Sequence, residues 1–162
     1  MLKGYIEGYY GRLFSQEERS LLLRNMGKLK MDFYLYGPKE DPYHRVLWEK
    51  PYPSKYQKVL EDFVKQSKKN KIRPVFAISP GLKGNKTTAH YRKFLAIKIK
   101  QAKRLGFEEF AIFFDDIDHK RDEGLATKHL EILELVSSFN IPANDLWVCP
   151  TVYCKSFAKG SL

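Results

Sequence analysis

The sequence predicts an α/β protein built on a parallel sheet, and three observations predict it. Short apolar runs rich in aromatic and β-branched residues alternate with longer segments of helical period, each run is closed by Gly, Pro or a capping residue, and the order strand then helix repeats along the chain with no low-complexity segment or linker. Five strands alternating with four helices imply right-handed crossovers and parallel neighbours. At 162 residues, 43% hydrophobic and 14% aromatic, the chain has the size and apolar content for one domain with a real core.

Taken in order, "KGYIEGYYG" begins as a strand over Lys3 to Glu7 and breaks at Gly8 and Gly11. Ser15 with Glu18 after it reads as the capping box of a first helix whose apolar face is Leu21, Leu22, Met26 and Leu29. "MDFYLYGPKED" holds a second strand, Phe33 to Tyr36, stopped by Gly37-Pro38. After the long loop "DPYHRVLWEKPYP", Ser54 is expected to cap a second helix that runs to about Asn70 with Val59, Leu60, Phe63 and Val64 inward. "RPVFAISPG" is a third strand, and its run Val75, Phe76, Ala77, Ile78 is typical of a strand covered on both faces. "TTAHYRKFLAIKIKQAKRLG" is a third helix ended by Gly106, and "EEFAIFF" is the fourth strand. A fourth helix from Leu125 to about Phe139 is closed off by Pro142, and "DLWVCPTVYC" supplies the fifth strand.

Charge and cysteine content narrow the function classes. The formal net charge is +10, and between Phe63 and Phe107 thirteen Lys or Arg, Lys98 among them, stand without one Asp or Glu. Such a bias can mark a nucleic-acid surface, but aromatics are not interleaved with the cations as base stacking wants, so solvated outer helix faces are the expectation and nucleic acid is not the expected partner. Cys149 and Cys154 are too few for a disulfide framework and no second Cys/His pair stands at zinc spacing, so neither a disulfide scaffold nor a zinc site is expected. The N-terminus lacks a signal-peptide core and no segment approaches the roughly 18 apolar residues of a membrane span. A reducing, cytoplasmic setting is the expectation, with no membrane partner.

In parallel α/β folds the site forms just past the strand C-termini. Here those positions read Glu7-Gly8-Tyr9-Tyr10-Gly11, Gly37-Pro38-Lys39-Glu40-Asp41, Ser79-Pro80-Gly81, Asp115-Asp116-Ile117-Asp118-His119 and Thr151-Val152-Tyr153. Asp115 and Asp116 can share a site only if the chain turns there, because successive strand residues face opposite ways. Two carboxylates in a partly dry cleft do not both ionise comfortably, and a proton-holding acid beside an ionised partner suits general acid catalysis on a glycosidic oxygen. The same cluster is also compatible with magnesium ligation or with a capped turn and a solvated loop.

The blocks "GYIEGYYGR", "YLYGPKEDPYHR", "FAISPGL", "FFDDIDH" and "CPTVYC" resemble, in order and spacing, the N-terminal part of the catalytic domain of glycoside hydrolase family 84, the β-N-acetylglucosaminidases. The resemblance implies an incomplete (β/α)8 TIM barrel of about five parallel strands and four helices, with residues 1–155 the N-terminal part of the catalytic domain and 156–162 the start of a following segment. It implies a retaining, metal-free reaction in which the substrate's own acetamido oxygen attacks the anomeric carbon to give an oxazoline. Asp115 would orient the acetamido N–H, and Asp116 would protonate the leaving oxygen and then deprotonate water. Gly8 would let the sugar approach the backbone, Lys39 would bond sugar hydroxyls or the neighbouring carboxylate, and Tyr153 would contact the acetamido group. Asp118 and His119 would shape the loop, and Cys149 would lie beneath the site as a buried thiol. The implied partner is an N-acetylglucosamine-containing glycan or glycosylated protein.

Departures from the family pattern are Leu13-Phe14 in place of Pro-Trp, Tyr9 in place of Phe, and Val152 in place of Glu. A full barrel takes about 250 residues, so the missing C-terminal barrel half is a further expected partner. The first and fifth strands are expected to have bare edges, and the inward side chains to lack partners. The alternative is a catalytically silent half-barrel that binds glycans or another chain.

Overall fold

The computed structural model describes residues 1–80, 86–115 and 124–154. Its elements are β1 (Gly4–Glu7), α1 (Gln16–Lys28), β2 (Phe33–Tyr36), α2 (Ser54–Lys69), β3 (Arg73–Ile78), α3 (Thr88–Arg104), β4 (Glu109–Phe113), α4 (Leu125–Ser137), a 3-10 turn (Ala143–Asp145) and β5 (Leu146–Cys149). The strands pair in sequence order, β1 to β5, and each pairing is parallel. This is the sheet and helix alternation that the sequence predicts.

The period of two along each strand sorts the side chains onto two faces. The register aligns Tyr36, Phe76 and Phe110 on the face that the helices cover, where they join Leu60, Phe63, Leu95, Ile99 and Val136 in the larger core. The alternate residues Phe33, Leu35, Val75, Ala77, Ala111 and Phe113 form a second buried cluster on the opposite face. Phe33 of β2 and Trp147 of β5 have ring centroids 4.6 Å apart. Three strand spacings on a flat sheet are about 14 Å, so the sheet must curl for these rings to meet. Ala77 and Ala111, small residues at the centre of the concave face, leave room for that curl. The result is five strands and four helices of an incomplete (β/α) barrel.

Several local expectations differ from the structure. The inward side chains do not lack partners, because the curl packs them against one another with Trp147 and Cys149 on their flank. β1 and β5 are the outer strands of the sheet, with Ile6 and Val148 exposed. In α1 the capping box forms as predicted, but the buried side chains are Arg19, Leu23 and Met26, while Leu21 and Leu29 are exposed. The helix is turned this way because Arg19 makes a two-point bond with the buried carboxylate of Glu7, at 2.7 and 3.0 Å, and Tyr34 Oη donates to the same group at 2.7 Å.

Ser54 is not a cap. Pro53 takes the N-cap place, and its carbonyl accepts from the backbone N–H of Tyr56 and Gln57. Val59 is half-buried, whereas Leu60, Phe63 and Val64 are buried. Gly106, at φ +96°, does end α3: its N–H reaches the carbonyl of Lys103 and the next N–H, of Phe107, reaches that of Ala102. Cys149 is half-buried and not the buried thiol expected. Lys98 does not lie on a solvated helix face, since its side chain is buried inside the fold.

Candidate active site

The site is built where β2 and β4 end. β4 alternates, and Asp115 continues the concave-face phase of Ala111 and Phe113. The segment after β2 is drawn over it by two backbone bonds, from Gly37 N to Glu7 O and from Lys39 N to Tyr9 O. Gly37 is required by space: a Cβ there would stand 2.8 Å from Ala77 Cβ and 3.0 Å from the Phe113 ring. With no side chain at 37 the chain lies flat on β3 and β4, and Lys39, 5% exposed, turns inward. Its ammonium stands 5.5 Å from the centroid of the Phe113 ring and donates to Asp115 Oδ2 at 2.8 Å.

The other oxygen, Asp115 Oδ1, is buried and makes no hydrogen bond among the described residues. A buried acceptor left open costs free energy, about 1–3 kcal/mol, so the arrangement is a held receptor for one donor. The ion pair fixes which oxygen is satisfied and which is open. Chemically it can seat an N–H of a ligand against a carboxylate whose position is set by Lys39.

The rest of this rim is anchored by buried polar groups. Asp41 accepts from Tyr36 Oη at 2.7 Å, Tyr52 Oη at 2.8 Å and the backbone N–H of Tyr43 at 2.9 Å. Burial and the Asp41 charge push both tyrosine hydroxyls well above their ordinary range. His44 is enclosed, with Nδ1 2.9 Å from the carbonyl of Ala77, Nε2 3.3 Å from Ser79 Oγ, and its ring edge-on to Phe113. Burial lowers its pKa to about 4. The neutral ring therefore donates from Nδ1 to Ala77 and accepts from Ser79 at Nε2.

The predicted site residues take different positions. Lys39 and Asp115 are in contact. Gly8 lies beside them, since a Cβ there would be 3.7 Å from the Phe113 ring and 3.1 Å from Ile6 Cγ2. Tyr153 lies on the rim beyond β5 and is 55% exposed. Asp116, Asp118 and His119 lie outside the described residues. Tyr9, the replacement for a usual Phe, bonds through its hydroxyl to that of Tyr5 at 2.9 Å. Among the described residues no group of three or more His, Cys, Asp or Glu converges as a metal site needs.

On the β5 side, Thr151 Oγ1 donates to the carbonyl of Phe114 at 2.6 Å and lies 3.3 Å from His129 Nε2. The His129 ring stacks on Phe114, centroids 3.9 Å apart. This ties the residue before Asp115 to β5 and α4. Sequence reasoning placed Asp41 and Thr151 on the strand-end rim without a role, and missed His44 and His129. The signal for His44 was that it falls inside the block "YLYGPKEDPYHR", and nothing in one dimension marks a loop residue as buried.

A family model described as beta-N-acetylglucosaminidase matches residues 3–161. The chain belongs to the β-N-acetylglucosaminidase family. Two relatives of this family illustrate the likeness: Protein O-GlcNAcase of Rattus norvegicus, 31% identical over 99% of this chain, and Protein O-GlcNAcase of Mus musculus, 32% identical over 96%. The chain spans 18% of the length of each. The solved structure of CpGH84B matches with a TM-score of 0.81 and 32% identity, over 94% of this chain and 27% of that one. The β-N-acetylglucosaminidase likeness thus covers the whole sheet and both partners of the Lys39–Asp115 pair, and corresponds to the N-terminal region of glycoside hydrolase family 84.

Proposed function

We propose that this chain forms part of a retaining β-N-acetylglucosaminidase site, metal-free and cofactor-free, that works through the substrate's acetamido group. The reading is carried by one observation: Asp115 has one oxygen bound to buried Lys39 and the other buried and without a hydrogen-bond partner among the described residues. In this reading Oδ1 accepts the acetamido N–H. That aims the acetamido oxygen at the anomeric carbon and places negative charge beside the positive charge that develops as the ring closes.

In the first step the acetamido oxygen bonds to the anomeric carbon as the glycosidic bond breaks. Asp116 gives its proton to the leaving oxygen. In the second step water bonds to the anomeric carbon from the vacated side, Asp116 takes its proton, and the oxazoline opens with retention. Tyr153 would donate its hydroxyl to the acetamido or oxazoline group, and Gly8 would let the sugar lie against the backbone. The substrate class is a terminal β-linked N-acetylglucosamine on a glycan or protein, within a catalytic domain whose N-terminal part is residues 1–155.

Hydrolysis of an aryl β-N-acetylglucosaminide tests this, with Asp116→Ala as the control. Turnover by the chain that is lost in the variant supports the enzyme. A second reading, a silent half-barrel that binds glycans or a complementary barrel half, is favoured by the exposed Tyr153 rim. Saturable N-acetylglucosamine binding by folded protein without turnover would select it.

A further inference from the structure

The loop between β2 and α2 is only partly at the surface. It is wedged against α3, with Trp48 and Tyr52 buried and the Trp48 ring stacked on Tyr91 at 5.9 Å and edge-on to Phe94 at 6.4 Å. In the middle of α3 stands Lys98, 1% exposed, with no ion pair among the described residues. Its ammonium donates to the carbonyl of Tyr43 at 2.9 Å and to the carbonyl of Lys50, and it lies 4.5 Å from the centroid of the Tyr52 ring. One turn on, Gln101 closes both backbone groups of Tyr52, accepting from its N–H at 2.7 Å and donating to its carbonyl at 3.0 Å.

Burying an amine without a carboxylate is costly, and methionine would fill the same volume without that cost. What an apolar side chain lacks is donors for two loop carbonyls that are seven residues apart in the chain. One of these belongs to Tyr43, whose N–H is held by Asp41, and Asp41 lies two residues beyond Lys39. Hydrogen bonds therefore link α3 to Tyr43 and Tyr43 to Asp41, and the backbone from Asp41 back to Lys39 completes the path to the Lys39–Asp115 pair.

We propose that Lys98 is a positioning residue: by tying the Tyr43 and Lys50 carbonyls to α3 it holds the loop so that Lys39 stays seated on Asp115. The inference rests on the reading of the Lys39–Asp115 pair as part of the site. It assigns a role to one member of the basic stretch.

The test is trace acetylation of the whole chain, with the labelling of each lysine read by peptide mass spectrometry, beside amide hydrogen exchange. Lys98→Met is expected to raise labelling of Lys39 by about tenfold or more as the loop opens locally, while exchange in β3 and β4 stays as in the wild type. Asp41→Asn, read in the same way, decides the matter if Lys98→Met fails to fold. Unchanged Lys39 labelling in a folded variant overturns the proposal. So does a rise matched by equal loosening of β3 and β4. Asp115→Asn separates the two levels: if it leaves Lys39 protected, the pair itself is not what shields the amine and the site reading fails independently. No turnover is needed for any of these measurements.

Discussion

The rim after β2 and the rim after β5 both carry a candidate substrate group, and they are built in opposite ways. Lys39 is buried, paired with Asp115, and backed by Asp41, His44, Gln101 and Lys98, each with named buried bonds. Tyr153 is largely exposed and follows a strand whose own residues are exposed or half-buried. The difference teaches that the Lys39–Asp115 pair is set by buried partners within the described residues, whereas Tyr153 stands on a largely exposed rim. The buried rim is preorganised; the open one is available.

The largest effect that would break this contrast is at Asp41. Asp41→Ala strips the acceptor from three buried donors, and about 4 kcal/mol of stability is expected to go, at one to three per orphaned group less some relaxation. Urea unfolding measures it, and a loss under about 1 kcal/mol would show that the loop is not held as described. Next comes Asp115→Ala, which takes from the buried Lys39 ammonium the carboxylate it donates to and is expected to cost about 3 kcal/mol in the same assay.

A smaller, pH-dependent effect belongs to His44. Its pKa in the fold, about 4, lies below the usual value near 6.5 because burial disfavours the charged ring. The neutral form therefore contributes stability that is fully present above pH 6.5 and is lost as pH falls toward 4. His44→Gln should be less stable than wild type at pH 7 yet lose less on acidification across that window, read as melting temperature against pH. Parallel curves for the two proteins would show that His44 is not the group responsible. The smallest effect is expected at the open rim, where Tyr153→Phe should change stability by less than about 0.5 kcal/mol.

These predictions also mark what could be read from one dimension. The five strands were legible because Phe33 to Tyr36 and Val75 to Ile78 are short, apolar and bounded by Gly or Pro, and the sheet covers both their faces. The face of α1 was not, because Arg19 outranks Leu21 and Leu29 for burial only through Glu7, a partner on another element. Lys39 and Asp115 were legible through their motifs. Their contact, 76 residues apart in sequence, was one of two alternatives that the family resemblance implied and is not written in the residues themselves. Lys98 was misplaced for the same reason, since its two acceptors are backbone carbonyls of a distant loop, which no side-chain pattern announces. Pro53 took the place expected of Ser54 because both backbone groups of Tyr52 are held by Gln101, which sets where the chain enters α2.

The central claim is that the acetamido group of the sugar is the nucleophile, seated by the open oxygen of Asp115. The most direct measurement is the rate of hydrolysis of aryl β-glucosaminides carrying N-acetyl, N-fluoroacetyl, N-difluoroacetyl and N-trifluoroacetyl groups. Each fluorine weakens the carbonyl oxygen as a nucleophile, so kcat/KM should fall steeply and in order along the series. Rates indifferent to fluorination, or no turnover of the N-acetyl compound by folded protein, would contradict the account.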